Sequence, residues 1–297
     1  MVILSAFLIP FFHGICNMLE GHLSKYSIKS LYSIVFFTRT AHLAGVLFLM
    51  LAFGLPEVPD MRSFMAISAA AAISTFLIFP FLAAYRYIDT STAGAFLSLG
   101  KVFTPVFAYL IIGESLAHSQ YAGFGIIIIS SILLGLDGKQ RFRINPGFFL
   151  MMLTAMMAAM ETITLKMAGG IGWYAATFWF VALSAIIPFL LLIPKKTRRD
   201  IMETLPSFRL HVPFFLLIVL FGMLGTFARL YALSGLPVVA VSAINAVRPL
   251  MVLGMGFAAA KIMGVRINEK LSGTPMLKKV ACFAFIILGI WITIGVF

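Results

Sequence analysis

Apolar residues in this chain come in long unbroken runs, without the alternation of a half-buried strand. Ten runs stand out, at about residues 2–24, 31–54, 64–86, 90–112, 119–137, 147–168, 172–193, 213–234, 236–260 and 277–297. About 20 apolar residues carry a helix across the hydrocarbon core of a bilayer. Each run is therefore expected to be a transmembrane helix, with ends drawn to within a few residues. The missing polar–apolar alternation argues against a membrane barrel. Glycine, alanine and serine recur inside the runs, as from Ser68 to Ser74. Small residues let helices approach closely, which predicts a packed bundle. The first run has no basic flank and is too long for a signal peptide, so it reads as a span. No stretch reads as a separate soluble domain.

The runs repeat. Ala84, Tyr87, Ser98 and Pro105 meet Ala228, Tyr231, Ser242 and Pro249 at a fixed offset of 144 residues. At an offset of 141, Glu20 meets Glu161 and Lys25 meets Lys166. The fifth and tenth runs match more weakly, at about 159, because the ninth loop carries an insertion. Two units follow, 1–138 and 146–297, with five spans each. Five is odd, so the second unit enters the membrane from the opposite side. The expected fold is an all-α integral membrane protein: ten transmembrane helices in two inverted five-helix repeats.

Composition agrees with lipid as the solvent. The chain is 62% hydrophobic and 11% charged, with a mean hydropathy of +1.06. The net charge of +12 would suggest nucleic acid in a soluble protein. Here basic loops on one membrane face explain it. Sixteen of the 22 Lys and Arg fall in the odd-numbered loops, counting Arg86 at the rim of the third. The opposite face has only Arg62. The positive-inside rule then makes the odd loops cytoplasmic and puts both termini on the far side. The seventh loop is expected over Ile193 to Val212. Cys16 and Cys282 lie in apolar runs, as small buried hydrophobes; no metal site or disulfide is indicated.

The stretches Ala84 to Glu114, ending TPVFAYLIIGE, and Ala228 to Pro249 resemble the paired repeats of the drug/metabolite transporter superfamily, of the ten-helix EamA-like kind. Ser24 to Tyr26 and Phe36 to Arg39 add to the likeness, which runs over essentially the whole chain. The resemblance implies two five-helix units around a central cavity, moving small metabolites by alternating access. Substrates in the superfamily run from amino acids to amines, nucleotide sugars and sugar phosphates. It also implies a bacterial or archaeal inner membrane and a monomer or homodimer without cofactors. One departure is Ala258, where relatives carry a second glutamate at the end of the ninth span.

Charges inside the runs carry the candidate chemistry. A charge at mid-bilayer costs on the order of several kcal/mol. Lys101 and Arg248 lie near the middle of matched runs. Lys101 shares a helix face with Thr104, and Arg248 with Asn245. These four are candidate ligands for a carboxylate or phosphate, with Arg248 as a bidentate donor. The bland alternative is a structural ion pair with Glu20, Glu161 or a backbone carbonyl. Pro249 would loosen the helix there. Glu20 and Glu161 are candidates for a substrate ammonium or a coupling proton; pairing with Lys25, Lys166 or Arg39 is their structural alternative. His13, a candidate relay, and Asn17, one turn on, share a face of the first span. Tyr87 and Tyr231 line the cavity or belong to the interfacial aromatic belt. Arg39 is read as a helix lock, Arg86 and Arg229 as interface anchors, and Glu114 as a partner for the N-terminus of the fifth span. No enzyme signature occurs, and catalytic residues, metal ligands and nucleotide-binding motifs are not indicated. Transport would run on a gradient or by exchange. The expected activity is secondary transport of a small polar metabolite with an anionic group, such as an amino acid, organic phosphate or carboxylate. Alternatives are an exporter of cationic amines through Glu20 and Glu161, and a lipid-headgroup flippase or scramblase.

Overall fold

The computed structural model describes residues 1–24, 28, 30–88, 96, 97, 100–135, 145–248, 251, 254, 255 and 274–294. Lys25, Tyr26, Ser98, Pro249, Ala258 and the ninth-loop insertion lie outside these residues.

The first run forms α1, Val2–His22, with Pro10 inside it. The second run breaks in two. Helix α2, Leu31–Thr40, starts on Ser30, whose side chain accepts from the Ser33 amide at 3.3 Å. Helix α3, His42–Phe53, follows the turn at Ala41. His42 Nδ1 lies 2.7 Å from Thr38 O across that turn, so Nδ1 carries the proton. Gly54, at φ 78°, ends α3. Asp60 caps α4, Met61–Phe76, accepting from the Arg62 and Ser63 amides at 3.2 and 3.4 Å. Those hydrogen bonds, Ser63's foremost, hold the exposed Asp60 carboxyl below the usual carboxylate range. Helix α5, Ile78–Ala84, completes the third run.

A 3-10 turn, Gly100–Val102, leads into α6, Phe103–Ile112, which ends on Gly113 in the left-handed region at φ 67°. Next come α7, His118–Gly135, and α8, Pro146–Met167, capped by Asn145. Helix α9, Trp173–Ile186, tightens into a 3-10 segment, Ile187–Leu192, that starts with Pro188 near its first turn. Helix α10, Lys195–Gly235, is 41 residues long. The expected seventh loop is therefore mostly helix. Its Ile201 is buried, and Ser33 of α2 bonds Asp200 O and Thr204 Oγ1 at 3.1 and 3.0 Å. An amphipathic face packed on α2 holds helical a stretch whose charges read as loop. Short α11, Val238–Asn245, and α12, Thr274–Ile294, close the order.

Each of the ten expected runs thus contains helix among the described residues. Six spans are long and apolar enough to cross a membrane: Val2–His22, Leu31–Phe53, Met61–Ala84, Pro146–Met167, Trp173–Leu192 and His211–Gly235. Two shorter apolar helices, Phe103–Ile112 and Ala284–Thr293, accompany them.

Small residues set the pairing. Helix α1 runs antiparallel to α10: Val2 lies against Gly235, the His13 ring against Gly225, and Cys16 against Gly222. Cys16 Sγ is 3.5 Å from Ile218 O. Helices α4 and α5 run antiparallel to α8, with Ser63 facing Gly170 at one end and Tyr87 facing Gly147 at the other. Tyr174 of α9 donates to Leu49 O and Gly54 O at 3.2 and 2.7 Å, tying α9 to α3. Thr104 Oγ1 and Ser242 Oγ, 3.0 Å apart, join α6 to α11.

Helices α7 and α12 cross at Gly123 and Gly289. A β-carbon on Gly123 would sit 2.7 Å from Gly289 O and 2.8 Å from Thr293 N. Both are backbone atoms, so the helix itself must move. Gly123→Leu is expected to cost at least about 1–3 kcal/mol, the range for overpacking a tight contact. Thermal unfolding in detergent checks this, with Gly125→Ala as control because nothing lies within 4 Å of that position. Equal melting temperatures would show that the crossing tolerates separation.

Candidate functional site

The centre of the bundle is polar. Helix α1 brings His13, Asn17 and Glu20, all half-buried, at spacings of four and three residues, so one face carries them. Helix α11 ends at Asn245, and one more turn reaches Arg248. Asn245 Oδ1 accepts from Arg248 Nε at 3.2 Å and from Nη2 at 2.9 Å. The same Nη2 lies 3.5 Å from His13 Nδ1. A guanidinium only donates, so Nδ1 is the accepting nitrogen of that ring. The His13 ring fits because Gly225 faces it; a β-carbon there would stand 2.8 Å from the imidazole.

Lys101 lies in the 3-10 turn before α6 and is half-buried. Among the described residues its amine has no hydrogen-bond partner, and its electrostatic neighbours are Arg248, Arg229 and Glu161. Arg248 likewise has no carboxylate within ion-pair distance among the described residues. Lys101, Arg248, His13 and Asn245 thus stand together, and Asn17 lies one turn from His13 on the same face of α1. Thr104 does not join them. It is 1% exposed, and its hydroxyl is engaged by Ser242. Ser242 was legible only as the repeat partner of Ser98.

The two matched glutamates differ. Glu161 is buried and pairs with Arg229, whose Nη2 is 2.8 Å from Oε1. The Arg229 guanidinium also sits 5.5 Å from the Phe180 ring centre. Arg229 is therefore no interface anchor: it is an interior cation whose depth follows from its partner. Glu20 makes no hydrogen bond or ion pair among the described residues; Arg39 and Arg248 are the cations that face it.

The remaining charges are structural. Arg39 Nη2 donates to Ser74 O at 2.7 Å and Ser74 Oγ at 3.0 Å, locking α2 to α4. Lys166 donates to Leu233 O and Leu236 O at 2.5 and 3.0 Å, capping the end of α10 instead of pairing with Glu161. Glu114 does not serve the fifth span. Its two carboxylate oxygens accept from the Val238 and Val239 amides, each at 3.1 Å, at the start of α11. A carboxylate there satisfies orphan amides and meets the positive end of the helix dipole. Tyr87 is 57% exposed at the end of its span. Tyr231 packs edge-on against the exposed Trp173 at 5.8 Å. An exposed span end and a tryptophan neighbour suit an aromatic belt.

The model of the EamA-like transporter family matches residues 1–136. Over those residues the chain is EamA-like, the family being one of the drug/metabolite transporter superfamily. The matched stretch runs from α1 to the end of α7, so the first half bears the family's imprint more clearly than the second. That match and the six long apolar spans mark a multi-pass integral membrane protein, and the matched family is one of transporters. A solved crystal structure aligns with 97% of this chain and 95% of its own, at a TM-score of 0.61 and 14% identity. At that identity the likeness is one of fold. No curated protein matches the chain.

Proposed function

We propose that this EamA-like protein is a secondary transporter for a small polar metabolite bearing a carboxylate or phosphate, such as an amino acid or organic phosphate. Arg248, steered by Asn245, and Lys101 hold the anion; His13 and Asn17 complete the polar wall. The observation that carries this reading is the pair of half-buried cations without a carboxylate in ion-pair range among the described residues. A desolvated cation is costly unless something neutralises it, and a substrate anion would.

The helix pairing supports two inverted repeats, 1–138 and 146–297. Exchanging the first span with the sixth, and the third with the eighth, turns the α1–α10 pair into the α8–α4/α5 pair. The same exchange leaves α6 with α11, α7 with α12 and α3 with α9. A two-fold axis in the membrane plane has that property, and it would suit alternating access around a midplane site. On this reading the odd loops face the cytoplasm.

A thermal-shift screen of the purified protein tests the substrate class. A ligand at 100 times its Kd stabilises the state it binds by about 2.7 kcal/mol. Small carboxylates or phosphates are expected to raise the melting temperature. Stabilisation by amines alone would favour export of cations through Glu20, and stabilisation by phospholipids alone would favour a flippase.

A further inference from the structure

The two halves have unequal acids. Glu20 and Glu161 match at an offset of 141, and Tyr85 and Arg229 match at 144. The second half therefore sets an arginine where the first half sets a tyrosine. Arg229 closes on Glu161 at 2.8 Å. Tyr85, buried just after α5, lays its ring over Gly21, beside Glu20. A phenol cannot neutralise a carboxylate as a guanidinium does.

Other groups face Glu20. Arg39 comes from α2, Arg248 from the turn after α11, Tyr85 from the end of α5, and Cys16 from one turn earlier on α1. Lys25 lies outside the described residues. Both facing cations are already engaged: Arg39 by the two oxygens of Ser74, and Arg248 by Asn245 through two hydrogen bonds. Glu161 faces Lys101, Arg39 and Arg248 besides Arg229. So one carboxylate is clamped and the other is left open beside the candidate anion site.

We propose that Glu20 is the proton site of this transporter, and that Arg229 keeps its counterpart Glu161 out of the exchange. One acid, not two, then takes up and gives back a proton during transport. The step is a simple transfer: water or hydronium gives a proton to a Glu20 oxygen, and the same oxygen returns it. The idea rests on the transport reading for its purpose, but its test needs no substrate.

Infrared difference spectroscopy of the full-length protein in lipid discs reads a carboxyl C=O band as pH is changed. Water-exposed acids titrate alike in every variant, so differences between variants isolate the interior ones. A band present in the wild type should vanish in Glu20→Gln and survive in Glu161→Gln. Tyr85→Arg, which gives the first half the second half's clamp, should also remove it. Arg229→Tyr should add a second band that Glu161→Gln abolishes. Loss of the band in Glu161→Gln alone, or no titrating interior carboxyl in the wild type, overturns the proposal. Should the charge-swap variants fail to fold, the two near-isosteric glutamine variants still decide it. Failure of the anion site would show instead in ligand binding, with these bands unchanged.

Discussion

Arg248→Ala is expected to weaken binding of the anionic ligand strongly while leaving the empty protein folded. The local geometry separates those two effects. Arg248 bonds Asn245 and approaches His13, both neutral hydrogen-bond partners. Removing it breaks no ion pair among the described residues, so the apo melting temperature should change little. The ligand, however, loses a charge-assisted contact worth about 1.5–3 kcal/mol. That is roughly a 10- to 150-fold fall in affinity. Arg248→Lys should already be damaging. An ammonium is a point charge and cannot keep the fork that Asn245 now orients through Nε and Nη2. Affinity and apo melting temperature should be measured on the same variants. A large loss of apo stability with unchanged affinity would make Arg248 a structural residue and sink the anion site.

Arg229→Ala should behave in the opposite way. Glu161 is 5% exposed and Arg229 supplies its counter-charge. Taking one partner from a buried pair strands the other, at a cost of about 3–5 kcal/mol. The apo protein should melt much earlier, or fail to accumulate in the membrane. Adding Glu161→Gln to Arg229→Ala should restore part of that loss, because a neutral amide is cheaper to bury than a lone carboxylate. The double-mutant cycle reads the coupling directly. Strictly additive effects would mean that the 2.8 Å contact carries no energy of its own.

Much of this was legible in the sequence, and for a physical reason. Lipid demands long apolar runs, so the six spans long enough to cross a membrane among the described residues announced themselves before any packing was known. The tie between Asn245 and Arg248 was legible because it is local, three residues along one turn. The missed features are those in which distant segments meet. Glu114 was assigned to the next helix in sequence, yet it serves a helix 124 residues on. Nothing in a single chain reveals which N-terminus will stand above a carboxylate. Arg229 sat near the end of its run and so read as interfacial; only the arrival of Glu161 from α8 makes it interior. Thr104 shared the right face with Lys101, but the close approach of α11 took its hydroxyl. The stretch 195–210 read as loop because charge there outweighs hydropathy, and packing on α2 decided otherwise.

The hold of Glu114 on Val238 and Val239 gives α11 the mechanics of a short strut. Eight residues of helix make a rod of about 12 Å. One end is gripped at the rim, where α6 gives way to Glu114, and the middle is pegged to α6 by Thr104 and Ser242. The far end carries Asn245, and Arg248 follows it. A rod held in this way has little slack. A displacement of Glu114 would therefore be passed along it to the guanidinium of Arg248.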